Sequence, residues 1–177
     1  MHIPPTTIEG KLGRKGYDFF PNQGDSYNGT AVIMKKDLAT TVENIIIKTG
    51  RIQLVKATIQ QKKINIITSY LKSGNTSQST HQRTQEINTL QDAIRNQTAT
   101  DEATILGGDF NLIESPIDTA NPQNFYSSED VRKFVSFKNS CNLDDTFRTK
   151  DPTRRQYTRI QGDSASRIDR IYIYQTI

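Results

Sequence analysis

Apolar and polar positions first fall into order in the stretches Gly29–Lys35, 42–48, 51–58 and Lys62–Tyr70. Short runs rich in β-branched residues and bounded by turn signals predict four successive strands. Thr49-Gly50 and Gln60-Gln61 supply hairpin turns between the last three. Such a meander buries one face of a sheet. Residues 73–80 are rich in Ser, Thr and Gly and predict a loop. Ile87, Leu90 and Ile94 then recur at helical spacing. They predict a helix from about residue 80 to 96, with Ser79 and Gln82 as a capping box. Ala103 to Gly108 is an apolar strand. Residues 111–125, with Pro116 and Pro122, form a long loop. Val131, Phe134, Val135 and Lys138 predict a second helix over residues 129–141, capped by Ser127 or Ser128. Residues 166–173 form a last strand rich in Ile and Tyr. Strands, helix, strand, helix, strand is the order of an α+β fold, a layered α/β sandwich.

The chain has 177 residues, which suits one domain. Its 23 basic and 19 acidic residues leave a formal charge of +4, a modest bias toward a polyanionic partner. The one cysteine, Cys141, excludes a disulfide framework within the chain and a zinc cluster built on thiolates. At the end of the second helix it reads as a buried thiol. No apolar run approaches the roughly 18 residues of a membrane span, so no membrane partner is expected. With no hydrophobic leader, the expected setting is intracellular.

Two segments carry candidate chemistry. In Thr104-Ile-Leu-Gly-Gly-Asp-Phe-Asn111 an apolar run ends in two glycines, then an acid and an amide follow at i and i+2. In extended backbone Asp109 and Asn111 project to one side, and the glycines permit close approach of another chain or a phosphate. A proton acceptor beside a neutral amide suits activation of water or coordination of a hard cation. Spacing alone favours a tight turn. In Ser166-Arg-Ile-Asp-Arg-Ile-Tyr-Ile173, alternation places Arg167, Asp169, Ile171 and Ile173 on one face. Asp169 there either pairs with Arg167 or Arg170, or orients a catalytic group.

Together these segments resemble the endonuclease/exonuclease/phosphatase superfamily. The LINE-type (non-LTR) retrotransposon endonuclease branch fits best, on Leu106-Gly-Gly-Asp-Phe-Asn111, Asp144-Asp-Thr-Phe-Arg148, Pro152, Tyr157-Thr158 and Ser166-Arg-Ile-Asp-Arg-Ile-Tyr172. The resemblance implies a DNase I-like fold, two mainly antiparallel sheets flanked by helices, with outer strands missing. It also implies that residues 1–177 form a single, incomplete domain, in which residues 1–15 are a loop. A complete member opens with a strand carrying Asn and a strand ending in a metal-binding Glu, and closes on Ser-Asp-His. None of these is visible here, and neither His2 nor His81 matches the catalytic position.

By the same resemblance Asp109 is the general base and Asn111 binds a phosphate oxygen or a metal. Tyr70 bonds the scissile phosphate and Asp169 positions a catalytic His. Thr158 lies near the DNA backbone, with Arg159 where the branch usually has an aromatic. The basic cluster Arg148, Lys150, Arg154, Arg155 and Arg159 either lines that phosphate backbone or is a solvated loop, and Arg167 is a further candidate contact to the substrate. Asp109 and Asn111 form a partial site for Mg2+ or Mn2+. The implied reaction is nicking of target DNA by activated water, in a nuclear protein fused to a reverse transcriptase. The alternatives are an inert fragment that at most binds nucleic acid weakly, and a phosphatase or RNA exonuclease of the same superfamily. Without the Glu and the Asp-His pair, the isolated chain is expected to be feeble or inactive.

Overall fold

The computed structural model describes residues 5–25, 28–99 and 101–174. The expected N-terminal loop is instead a helix, α1, over Pro5–Arg14; residues 1–4 lie outside the described residues. Ile8 and Leu12 lie one turn apart and are half-buried, and Lys11 and Arg14 in the last turn complement the helix dipole. Strand β1, Tyr17–Gln23, pairs antiparallel with β2, Gly29–Lys35, as a separate two-stranded sheet. The sequence hides β1 because Phe19, Phe20 and Pro21 break any alternation. Proline is tolerated there because β1 has one partner and one free edge.

The meander is therefore three strands, not four: β3 (Thr41–Lys48), β4 (Ile52–Ile59) and β5 (Lys62–Tyr70). Gln60 and Gln61 both take positive φ, 49° and 65°, the turn whose twist suits a two-residue hairpin. Gly50, at φ +67°, has Gly24 Cα 2.6 Å from where a Cβ would stand. Helix α2, Ser77–Gln97, then crosses to β6, Ala103–Asp109, which lies parallel to β5. The cap of α2 is Thr76, whose hydroxyl accepts from Ser79 N at 3.1 Å, so the helix starts three residues before the expected point and no Ser79–Gln82 box forms. The loop after β6 holds two 3-10 turns, Pro116–Asp118 and Pro122–Asn124. Then follow α3 (Glu129–Ser140), β7 (Leu143–Asp145), α4 (Thr146–Lys150), the hairpin β8–β9 (Arg159–Gln161, Ser164–Ser166) and β10 (Asp169–Tyr174). The main sheet runs β3-β4-β5-β6-β10-β7, with only β5 and β6 parallel.

One face of this sheet meets α2 and α3. Ile52, Leu54, Ile67, Leu106 and Tyr172 pack against Ile87, Leu90, Phe134 and Phe137. Phe110 joins them, its ring 5.0 Å from Phe134 and 5.4 Å from Tyr172. Cys141 is buried here, and burial pushes its thiol up. The opposite face is covered over β4 by Val32 and Met34 of the β1–β2 hairpin. Along β10 the expected alternation holds in part. Asp169 and Ile171 face outward and are exposed, while Arg170 and Tyr172 are buried. Arg167 does not share their face: it precedes the strand and is buried.

The loop, α4, β7 and β10 meet in a buried network of charges. Arg167 donates to Asp118 at 2.8 Å and to Asp145 at 2.7 Å. Arg148 also pairs with Asp118, and Arg170 approaches Asp118 at 3.7 Å and Glu114 at 3.9 Å. Tyr172 donates its hydroxyl to Glu114 at 2.7 Å, and burial pushes its phenol well above its ordinary range. Burial alone would push Asp118 up. Hydrogen bonds from Arg167 and Arg148 and the charge of Arg170 outweigh it and hold the carboxyl below its usual range.

Two stability changes follow. Phe134→Ala, which empties the centre of the aromatic cluster, should cost about 3–5 kcal/mol in urea unfolding. Asp118→Asn should cost about 3 kcal/mol at neutral pH, since three guanidinium groups lose their shared charge. The folded pKa of Asp118 is depressed, so its contribution is present above the unfolded carboxylate value and is lost as pH falls through the folded one. The gap between variant and wild type should close below about pH 4.

Candidate active site

Three strands of the main sheet bring their ends together. Tyr70 ends β5, Asp109 ends β6 and Asp169 begins β10. In register, Tyr70 stands beside Asp109 across the parallel pair and Asp169 beside Asp109 across the antiparallel pair. The expected phenol, base and second carboxylate thus sit abreast. Gly108 makes this possible. It has φ +150°, and a Cβ there would lie 1.8 Å from Ser69 O, so only glycine lets β5 and β6 close at this point.

Beyond the strand the chain turns sharply. Asn111 takes φ +49°, its N–H donates to Asp109 Oδ1 at 2.9 Å, and its side-chain Nδ2 donates to Leu71 O at 2.9 Å. The amide oxygen is left as an acceptor. Gly-Gly-Asp is therefore both of the things its sequence suggested, a strand end and a tight turn. Leu71 N donates to Asp109 O and Phe110 N to Ile168 O, each at 2.9 Å, which fixes the backbone on both sides. Arg51 lies 4.7 Å from the Tyr70 ring centroid and bonds Tyr70 O.

Burial pushes the Asp109 carboxyl up, the Asn111 N–H pulls it down, and the Asp169 charge adds to the rise. The charges of Arg159 and Arg170 oppose it, and the net direction is above the ordinary range. A half-buried carboxylate with raised proton affinity is suited to taking a proton from water. Asp169 pairs with neither Arg167 nor Arg170, which turn to Asp118, Asp145 and Glu114. Instead, its backbone N–H and that of Ile168 both donate to Thr158 Oγ1 at 3.1 Å. Both carboxylates open on a cavity of about 390 Å3 shared with Thr158, Phe147 and Ile171.

The residues expected along the DNA divide in two. Arg155 is exposed, as are Lys150 and Arg154. Arg167 and Arg148 point inward, bound to Asp118 and Asp145, and Thr158 spends its hydroxyl oxygen on the backbone that sets Asp169. Sequence reading overlooked Asp118, whose only signal is an acid two residues after a proline in a long loop. It weighed Arg159 only for DNA contact, although its charge reaches Asp109. His81 lies on α2, bonded to Gln85.

Among the described residues no group of three or more His, Cys, Asp or Glu side chains is placed to hold a metal. Asp109 and Asp169, paired across β6 and β10 and opening on one cavity, form a smaller donor set. Two carboxylates completed by water and a substrate phosphate match the usual coordination of Mg2+ by hard oxygens.

The fold is shared with several solved structures. An AP endonuclease from Archaeoglobus fulgidus superposes with a TM-score of 0.78 at 21% identity, over 98% of this chain and 73% of that one. The 3′ phosphatase NExo from Neisseria, bound to a product DNA hairpin, gives 0.72 at 17% identity, over 97% and 72%. D. rerio TDP2 complexed with a single-strand DNA product gives 0.67 at 17% identity, over 98% and 68%. No curated protein matches the chain. The profile of one family matches residues 3–176, nearly the whole sequence. With a mixed sheet between helices and a hairpin, and its paired acids at the strand ends, the chain belongs to the endonuclease/exonuclease/phosphatase family.

Proposed function

We propose that this chain is a metal-dependent phosphodiesterase domain that nicks DNA by attack of an activated water, of the type found in retrotransposon endonucleases. The observation that carries the reading is the row Tyr70–Asp109–Asp169, with Asn111 turned back beside it. Asp109 takes a proton from the water as its oxygen forms a bond to phosphorus. The P–O3′ bond breaks in line, and the 3′ oxygen takes a proton from solvent. Tyr70 donates its hydroxyl to a phosphate oxygen, and the second N–H of the Asn111 amide is free to do the same. The Asp169 charge beside Asp109 raises the affinity of Asp109 for the proton. Asp169, completed by water and the phosphate itself, would hold Mg2+ or Mn2+, which would supply positive charge to the phosphate. Arg154, Arg155 and Lys150 are the exposed cations available to the DNA backbone. The 3′ hydroxyl left by the nick would prime a reverse transcriptase in the same gene product.

A second reading has its own support. With two carboxylates rather than three at the site, the chain would bind nucleic acid without cutting it.

Plasmid nicking in Mg2+ separates the two. Wild type should nick feebly, and Asp109→Asn should lose at least 100-fold of that rate, the low end of what a general base contributes. Folded wild type that leaves the plasmid intact would establish the binding module. Parallel assays on 3′-phosphorylated DNA and on RNA test the phosphatase and exonuclease alternatives. Removing one phosphate contact with Arg155→Ala should reduce the slope of log binding constant against log salt by about 1.

A further inference from the structure

Strand β3 lies at one edge of the main sheet. β4 pairs with one side of it, and among the described residues no strand pairs with the other. Such an edge presents a row of N–H and C=O groups, a template for a further strand. Edges that resist pairing are short, carry proline or crowd with charge. β3 has eight residues, Thr-Val-Glu-Asn-Ile-Ile-Ile-Lys, with no proline, and its one irregularity lies near the end, between Ile46 and Lys48. Its two charges are turned back on the chain itself. Lys48 bonds Glu86 at 2.9 Å, and Glu43 stands directly opposite Lys56 on β4. Little net charge is left to repel a neighbour.

The side chains of this edge alternate. Val42, Asn44 and Ile46 share the face on which β4 places Ala57, Val55 and Gln53. The β1–β2 hairpin covers that face over β4 through Val32 and Met34, but Val42 stays 40% exposed and Ile46 44%. Isoleucine and valine are good strand formers, and here they extend an apolar face to an open edge.

The pattern itself selects what fits. When a strand pairs antiparallel with its own copy, the two-fold axis passes beside one residue, which then faces itself, and facing residues lie on the same face of the sheet. Centred on Glu43, two acids would meet. Centred on Ile45, the apolar Ile46 would face the Asn44 amide. Centred on Asn44, Val42 faces Ile46 of the second copy, and the same pair recurs across the axis. The two Asn44 amides then meet at the centre. Asn44 Oδ1 already accepts from Gln53 Nε2 at 2.7 Å, but it has a second lone pair and Nδ2 keeps both hydrogens, so the amides can bond each other.

We propose that β3 is a self-association edge, at which a second copy of this chain pairs antiparallel about an axis beside Asn44 and makes one sheet continuous through both copies. The contact closes on itself, so growth stops at the dimer. Eight residues on a side are fewer than the roughly 20–30 of a standard interface, which makes the association weak and dependent on concentration. β3 runs in the same direction as β5, so the Tyr70 ends of the two copies point to opposite ends of the joint sheet and both candidate sites stay open. Dimerisation therefore stands or falls apart from the phosphodiesterase reading.

Sedimentation velocity from low micromolar to submillimolar protein should show monomer giving way to dimer and to nothing larger. Ile46→Lys should raise the dissociation constant about tenfold, because the isologous contact loses its apolar pair twice. Ile46 is exposed, so circular dichroism, unfolding midpoint and nicking per chain should not change. Oxidative cross-linking reads the register. Asn44→Cys should form an intermolecular disulfide, since facing residues bring their Cβ atoms within about 5 Å. Val42→Cys and Ile46→Cys should each fail alone and cross-link when mixed. Wild type, whose Cys141 is buried, is the uncross-linked control. A wild type that stays monomeric throughout, a dimer indifferent to Ile46→Lys, or cross-links that ignore position would overturn the proposal.

Discussion

Arg167 carries a buried positive charge held between two buried carboxylates, Asp118 from the proline-bearing loop and Asp145 from the junction of β7 and α4. Three segments far apart in sequence meet there, and each leads directly to a part of the candidate site. Arg167 N donates to Asp118 O at 2.9 Å, and two residues later the chain presents Asp169. Asp145 caps α4 by accepting from Phe147 N and Arg148 N, which sets the Phe147 wall of the cavity beside the acids. Burying these ions is costly, and the cost is recovered only while each keeps its partner. The network therefore specifies one placement of loop, helix and strand rather than adding much net stability.

The second constraint is steric. Ser69 O occupies the space a side chain at position 108 would need, so β5 and β6 close completely only because residue 108 is glycine. That closure puts Tyr70 and Asp109 in register at the same end of a parallel pair. Strand ends in such a pair are where the backbone leaves the ladder, and Asn111 uses that freedom to turn back on Asp109.

The outward face of β10 shows what the sheet does with its polar side. Asp169 and Ile171 alternate with buried Arg170 and Tyr172, so the strand that supplies an acid to the site also anchors the core. Tyr172 ties the two roles together, with its ring among Phe110 and Phe134 and its hydroxyl on Glu114.

Elements whose cause is local are legible in the chain alone. The helical spacing of Ile87, Leu90 and Ile94, the turns at Gly50 and Gln60-Gln61, and the Gly-Gly-Asp-Phe-Asn strand end are all written within a few residues, and all appear where expected. Pattern failed where a partner decides. In β1, Phe-Phe-Pro becomes a strand only because β2 lies beside it. The sequence also named Tyr70, Asp109, Asn111 and Asp169 as a set, but could not show them abreast, because their register is a property of three paired strands. Arg148 and Arg167 are alike in sequence to Arg155 and face opposite ways. Which arginine meets solvent and which meets a buried acid depends on Asp118 and Asp145, distant along the chain, and only folding brings them within reach.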